Sequence, residues 1–151
     1  MTKTQTTVLK IAAVLWVIWG LVHMLGGVLT IAQETAGAVA GIADAVDPGL
    51  LANTYHDAVG AVINQHGFNL LWIGLATTIG AVFIWRGNMT AIWVTAMVGG
   101  LADVGYLLFM DLGGFVNFVP GTVMTMISAS AIVLSFSVWL PNRGKTAAMN
   151  G

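Results

Sequence analysis

The sequence predicts an all-α membrane protein: a four-transmembrane-helix antiparallel bundle with a short amphipathic helical segment in its first extracytoplasmic loop. Three observations carry that expectation. Of 151 residues, 58% are hydrophobic and only 7% charged, where a soluble domain of this size carries about 25% charged residues. Four apolar runs, at about 8–32, 60–85, 89–110 and 118–140, match the roughly 20 helical residues that cross a hydrocarbon core of about 30 Å. The basic residues all fall where alternating crossings would place them on one side. Once four spans are subtracted, only short connections remain, so residues 1–151 are expected to form a single integral membrane domain.

In chain order, Met1 to Thr7 is a polar tail with Lys3, and the first run carries no charge after Lys10. A signal peptide also begins with a basic end, but its apolar part is about 7–15 residues long; this run is longer and is expected to stay as a helix. Gln33 to Asp57 carries Glu34, Asp44, Asp47 and Asp57 with no Lys or Arg, around the Ala- and Val-rich TAGAVAGIADAV. One or two short amphipathic helices are expected here, on the membrane surface or over the bundle mouth, interrupted at Asp47-Pro48-Gly49. The segment is either a linker or a lid over a site.

The second span opens polar, with Asn64, Gln65, His66 and Asn69, then runs apolar from Leu70 to Trp85 until Arg86 stops it. Arg86-Gly87-Asn88 reads as a tight turn into the third span, and DLGGFVNF separates the third from the fourth. Pro141 and Asn142 are expected to end the last helix, because proline removes a helical hydrogen bond, leaving RGKTAAMNG as a polar tail.

Charge placement predicts orientation. Lys3, Lys10, Arg86, Arg143 and Lys145 group on one side, which the positive-inside rule assigns to the cytoplasm; Glu34, Asp44, Asp47, Asp57, Asp103 and Asp111 group toward the other. The expected location is the cytoplasmic (inner) membrane, with both termini in the cytoplasm. Trp85 and Trp139 would sit in the inner aromatic belt, and Tyr106, Phe115 and Phe118 toward the outer one. A net charge of −1 with five basic residues excludes nucleic acid as a partner. The absence of cysteine excludes disulfides and thiolate metal sites.

At a rise of about 1.5 Å per residue, His23, Asp103, Asn69 and His66 all come to lie in the outer half of the bilayer. Trp16, Gly20, His23, Gly27 and Thr30 share one face of the first helix; Ala91, Thr95, Gly99 and Asp103 share a small-residue face of the third; Gly121, Thr125, Ser128, Ile132 and Ser135 form a mostly polar stripe on the fourth. Small residues let helices approach closely, so these stripes are expected to point inward around a polar pocket.

Asp103 is the sharpest signal, since a carboxylate in hydrocarbon costs about 2.5–3.5 kcal/mol even on the mildest scale. It either serves a functional site or locks the helices by hydrogen bonds to His23, His66 or Asn69. The candidate ligand- or ion-binding set is His23, Asn64, His66, Asn69, Asp103 and Tyr106, while His56 reads as interfacial.

His23, His66 and Asp103 are also the inventory of a metal site for copper or zinc, with Met24, Met110, Met124 and Met126 as soft additions, or, through the two histidines, for a haem. No phosphate loop, nucleophile elbow or HExxH motif is present. Three function classes follow: binding or conduction of a small polar ligand, proton or cation; an accessory role in a larger membrane complex; and a metal- or haem-dependent oxidoreductase. The expected partners are the lipid bilayer and further copies or subunits. The string GLVHMLGG, Gly20 to Gly27, resembles small bacterial four-helix membrane proteins of the DoxX-like kind; the resemblance covers those eight residues, and no residue role is taken from it.

Overall fold

The computed structural model describes residues 1–147; the end of the polar tail, 148–151, and the side chain of Lys145 lie outside the described residues. Helix α1, Lys3–Ala32, starts earlier than its apolar run because Thr2 and Gln5 form a capping box: the Thr2 hydroxyl accepts the Gln5 N–H, and the Gln5 side chain accepts the Thr2 N–H. The first connection folds into two short helices, α2 (Thr35–Ile42) and α3 (Pro48–Leu51), and Asp47 caps α3 by accepting the Gly49 N–H.

Helix α4, Asp57–Trp85, also begins before its apolar run. His56 is its N-cap and accepts the Ala58 N–H, and Asp57 in the first turn suits the positive end of the helix dipole. The turn to α5 (Met89–Tyr106) uses Gly87 at φ +80°, a left-handed conformation that glycine adopts without strain. Asn88 then caps α5 by accepting the N–H groups of Thr90 and Ala91. A π-helical turn, Leu107–Asp111, prolongs α5, and a kinked segment, Phe118–Thr122, with Val119 extended, leads into α6, Val123–Ala147.

Two expectations are corrected. Helix α6 does not end at Pro141 but runs through it to Ala147. The ring costs one backbone donor, yet the Asn142 side chain donates to the Val138 carbonyl at 2.8 Å and keeps the turn tied. Helix α2, expected to be amphipathic, carries no charged residue and is small and apolar on every side; it packs on α1 and α4 with Ala38 buried.

The core lies between the long helices and is centred on Trp16 and Trp19 of α1, which meet edge to face at 5.7 Å. Helices α1 and α4 touch through glycines. A Cβ at Gly27 would stand 2.5 Å from the Gly67 carbonyl and 2.7 Å from the Leu71 nitrogen, and one at Gly74 would stand 2.8 Å from the Met24 nitrogen. Helix α6 closes on α1 with Ser128, Ala131, Ser135 and Val138 buried at intervals of three or four. Trp93, Phe136 and Trp139 pack edge to face between α5 and α6.

The outer surface is as apolar as the core. On α1, Ile11, Val14, Ile18, Leu21 and Val28 form an exposed stripe, a surface that needs a bilayer and not water, while Leu25, also exposed, borders a cavity. Among the described residues, Lys3–Ala32, Asp57–Trp85, Met89–Asp111 and Phe118–Arg143 are long and apolar enough to cross a membrane.

Candidate functional site

Asp103 stands on the inward face of α5, one turn beyond Gly99, where the missing side chain makes room for the Trp16 ring. It is 5% exposed. The indole N–H of Trp19 donates to its Oδ2 at 2.8 Å, and the Ser128 hydroxyl donates to the same oxygen. Oδ1 faces His23 Nε2 at 3.9 Å, beyond hydrogen-bond range.

Trp19 organises this group three times over. Its indole reaches Asp103, its carbonyl accepts from His23 Nδ1 at 2.8 Å, and its ring stacks on the imidazole with centroids 3.6 Å apart. The spacing of four between Trp19 and His23 puts both on one face of α1 and makes these contacts possible. Because a carbonyl only accepts, Nδ1 carries the hydrogen.

Beside the cluster is a cavity of about 340 Å³. Asp103, His23, His66 and Tyr106 line it, with Thr30 and Gln33. Leu25, Leu29, Leu70 and Met124 make its apolar walls, and Asp44 is also in its lining. Among the described residues, no Lys or Arg lines it. Gly121 admits the Tyr106 hydroxyl, which would stand 2.6 Å from a Cβ there.

Helix α2 and its following turn cover one side, with Ala38, Gly41 and Ile42 in the lining. That cover is tied down at Asp44: its Oδ1 accepts the Asn117 N–H at 2.7 Å, and its carbonyl accepts from the Asn117 amide at 2.8 Å. Asp111 accepts from Thr122 at 2.6 Å, which ties the end of the π-helical turn Leu107–Asp111 to the kinked segment before α6.

Of the candidate ligand- or ion-binding set, four line this one cavity: His23, His66, Asp103 and Tyr106. Asn64 and Asn69 do not. Asn64 is exposed, and Asn69 accepts from the Trp72 indole at 3.1 Å on the exposed side of α4. Helical phase is the reason: with about 100° per residue, His66 and Leu70 share the cavity face, and Asn64 and Asn69 turn away from it. The hydrogen bonds that hold Asp103 come from Trp19 and Ser128, not from His66 or Asn69. Ser128 was visible in its polar stripe, and the spacing of four to His23 was the available signal for Trp19.

The metal set is not assembled either. Among the described residues, no three His, Cys, Asp or Glu side chains converge as metal ligands, so His23, His66 and Asp103 do not make the copper or zinc site their inventory suggested. His23 Nδ1 donates to the Trp19 carbonyl and Nε2 faces Asp103, so His23 is held by these two groups and not arranged with His66 as a haem ligand pair. Comparison of the chain with family models, curated proteins and solved structures gives no match.

Proposed function

We propose that the protein is an antiparallel four-span bundle of the cytoplasmic membrane, with both termini in the cytoplasm, that binds or conducts a small cation, proton or polar ligand at Asp103. Support for the topology comes from the two ends of the molecule. Lys10 lies 5.0 Å over the Trp85 ring, so basic residues of the first and second spans gather at one end. Asp44 bonds to Asn117 at 2.7 Å, so the acidic first loop and the connection before α6 gather at the other. The cavity lies beside that acidic end, with Asp44 in its lining.

The observation that carries the reading is the half-satisfied carboxylate. Both donors to Asp103 reach Oδ2, while Oδ1 has no donor and faces His23, and the residue lines a cavity with a second acid, Asp44, and, among the described residues, no basic side chain. Among the described residues the buried side-chain atoms without a partner are Thr95 Oγ1 and Ser135 Oγ; Asp103 Oδ1 is not one of them, so it keeps surface that a ligand in the cavity can reach.

The test compares wild type with Asp103→Asn in lipid nanodiscs, titrating with methylammonium and with sodium while following tryptophan emission, which the Trp19–His23 stack makes sensitive to the site. Wild type should respond to a cation, and Asp103→Asn should not, with unfolding temperatures close to one another. A strongly destabilised Asp103→Asn with an unaltered cation response would assign Asp103 to packing within a larger complex.

A further inference from the structure

The atoms between His23 and Asp103 define what kind of cation fits. His23 Nδ1 donates to the Trp19 carbonyl at 2.8 Å, so in the neutral imidazole Nε2 holds a lone pair and only accepts. Asp103 Oδ1 as a carboxylate oxygen also only accepts. The two acceptors face each other across 3.9 Å, too far for a direct hydrogen bond and, among the described residues, with no protein donor to either. What completes the arrangement is a small group with at least two hydrogens to donate, and the carboxylate charge favours one that is positive.

We propose that the site binds a primary alkylammonium ion, whose N–H groups bridge Asp103 Oδ1 and His23 Nε2 and whose alkyl chain lies along Leu25, Leu29, Leu70 and Met124. This rests on the reading of Asp103 as a cation site and names the class of cation. An ammonium nitrogen about 2.8 Å from each acceptor, the usual distance for a charge-assisted bond, is compatible with acceptors 3.9 Å apart.

The rest of the cavity agrees with an organic ion over an inorganic one. Its volume of about 340 Å³ is at the small end of the roughly 300–1,000 Å³ of small-molecule sites, and most of its wall beyond the polar end is aliphatic. A metal cation in the same gap would find one carboxylate oxygen and one imidazole nitrogen, with no third such ligand converging among the described residues. Asp44 in the lining of the cavity adds attraction for positive charge.

The experiment uses the full chain in nanodiscs, with empty nanodiscs as the partitioning control, and measures calorimetric binding of hexylammonium, hexyltrimethylammonium and 1-hexanol. Hexylammonium should bind at least tenfold more tightly than the quaternary ion, which has no N–H, and than the alcohol, which has no charge. His23→Phe, which keeps the ring stacked on Trp19 but removes Nε2, should erase most of that preference. In the wild-type protein, which needs no substitution to fold, the ¹⁵N resonance of His23 Nε2 should move on adding hexylammonium and stay in place with the quaternary ion.

Equal binding of the two ions, lost in Asp103→Asn, would overturn the bridging geometry and leave the cation reading standing. Equal binding of hexanol, or binding unaffected by Asp103→Asn, would overturn both.

Discussion

Trp19 is the residue on which the site depends, since one side chain and its own carbonyl hold Asp103 and His23 together. Trp19→Phe keeps an aromatic ring under His23 but removes the donor, leaving Ser128 as the support of Oδ2. Hydrogen bonds to charged groups contribute about 1.5–3 kcal/mol in soluble proteins, and within membranes measured values are lower, on average about 0.6. Trp19→Phe and Ser128→Ala are each therefore expected to destabilise by about 1–2 kcal/mol. Because both donors serve one oxygen, the double variant should be non-additive, with an interaction energy of roughly 0.5–3 kcal/mol. Unfolding in mixed micelles with a denaturing detergent checks this, and strict additivity would mean that the two donors act independently. Part of this site was legible in the sequence: Asp103 and His23 stand out as costly groups at similar depth. The donors were harder to see, because tryptophan and serine are ordinary residues inside a membrane helix and only contact singles them out.

At the scale of the elements, the seam between α1 and α4 is set by glycines that have no room for a Cβ. Gly27→Ala would press a methyl onto the Gly67 carbonyl at 2.5 Å, an overpacking that costs about 1–3 kcal/mol, and Gly27→Leu should separate the helices. Gly105 on α5 is the contrast, with nothing within 4 Å of its absent Cβ. Gly105→Ala should be neutral or stabilise by up to about 1 kcal/mol, the helix-propensity difference between the two residues. Thermal melts of the three variants give the order directly, and a Gly27→Ala protein as stable as Gly105→Ala would refute the tight seam.

The cover over the cavity makes a separate prediction. Asn117→Ala removes the amide that donates to the Asp44 carbonyl, a contact on the exposed surface and away from the core. Stopped-flow mixing with hexylammonium should show faster binding and release, with the melting temperature nearly unchanged; unaltered rates would show that α2 does not gate entry. The long helices themselves were readable from apolar runs, but their ends were not. Capping by Thr2 and His56 extends α1 and α4 beyond the apolar residues, and the Asn142 side chain carries α6 past a proline.

For the whole molecule, the apolar outer surface and the separation of charge give the topological prediction. A reporter fused after Gly151 should be cytoplasmic, and one inserted at Pro48 should face the opposite side; a reversed pair would overturn the proposed orientation. What the sequence by itself determined was the class of object. Few charges, four apolar runs and basic residues on one side leave little besides a multi-pass helical protein, because the cost of charge in hydrocarbon acts on every residue of a run and so shows in composition. What only the tertiary structure decided was which polar groups meet. A helix apolar on both its buried and its exposed face has almost no hydrophobic contrast from which its rotation can be read. That rotation sends His66 to the cavity and Asn64 and Asn69 away from it, and it brings Trp19 and Ser128, on two different helices, to one oxygen of Asp103. Spacing along a single helix gives the shared face, while contacts between helices depend on how tightly glycines such as Gly27, Gly67 and Gly74 let the backbones approach, a three-dimensional fact that no single run contains.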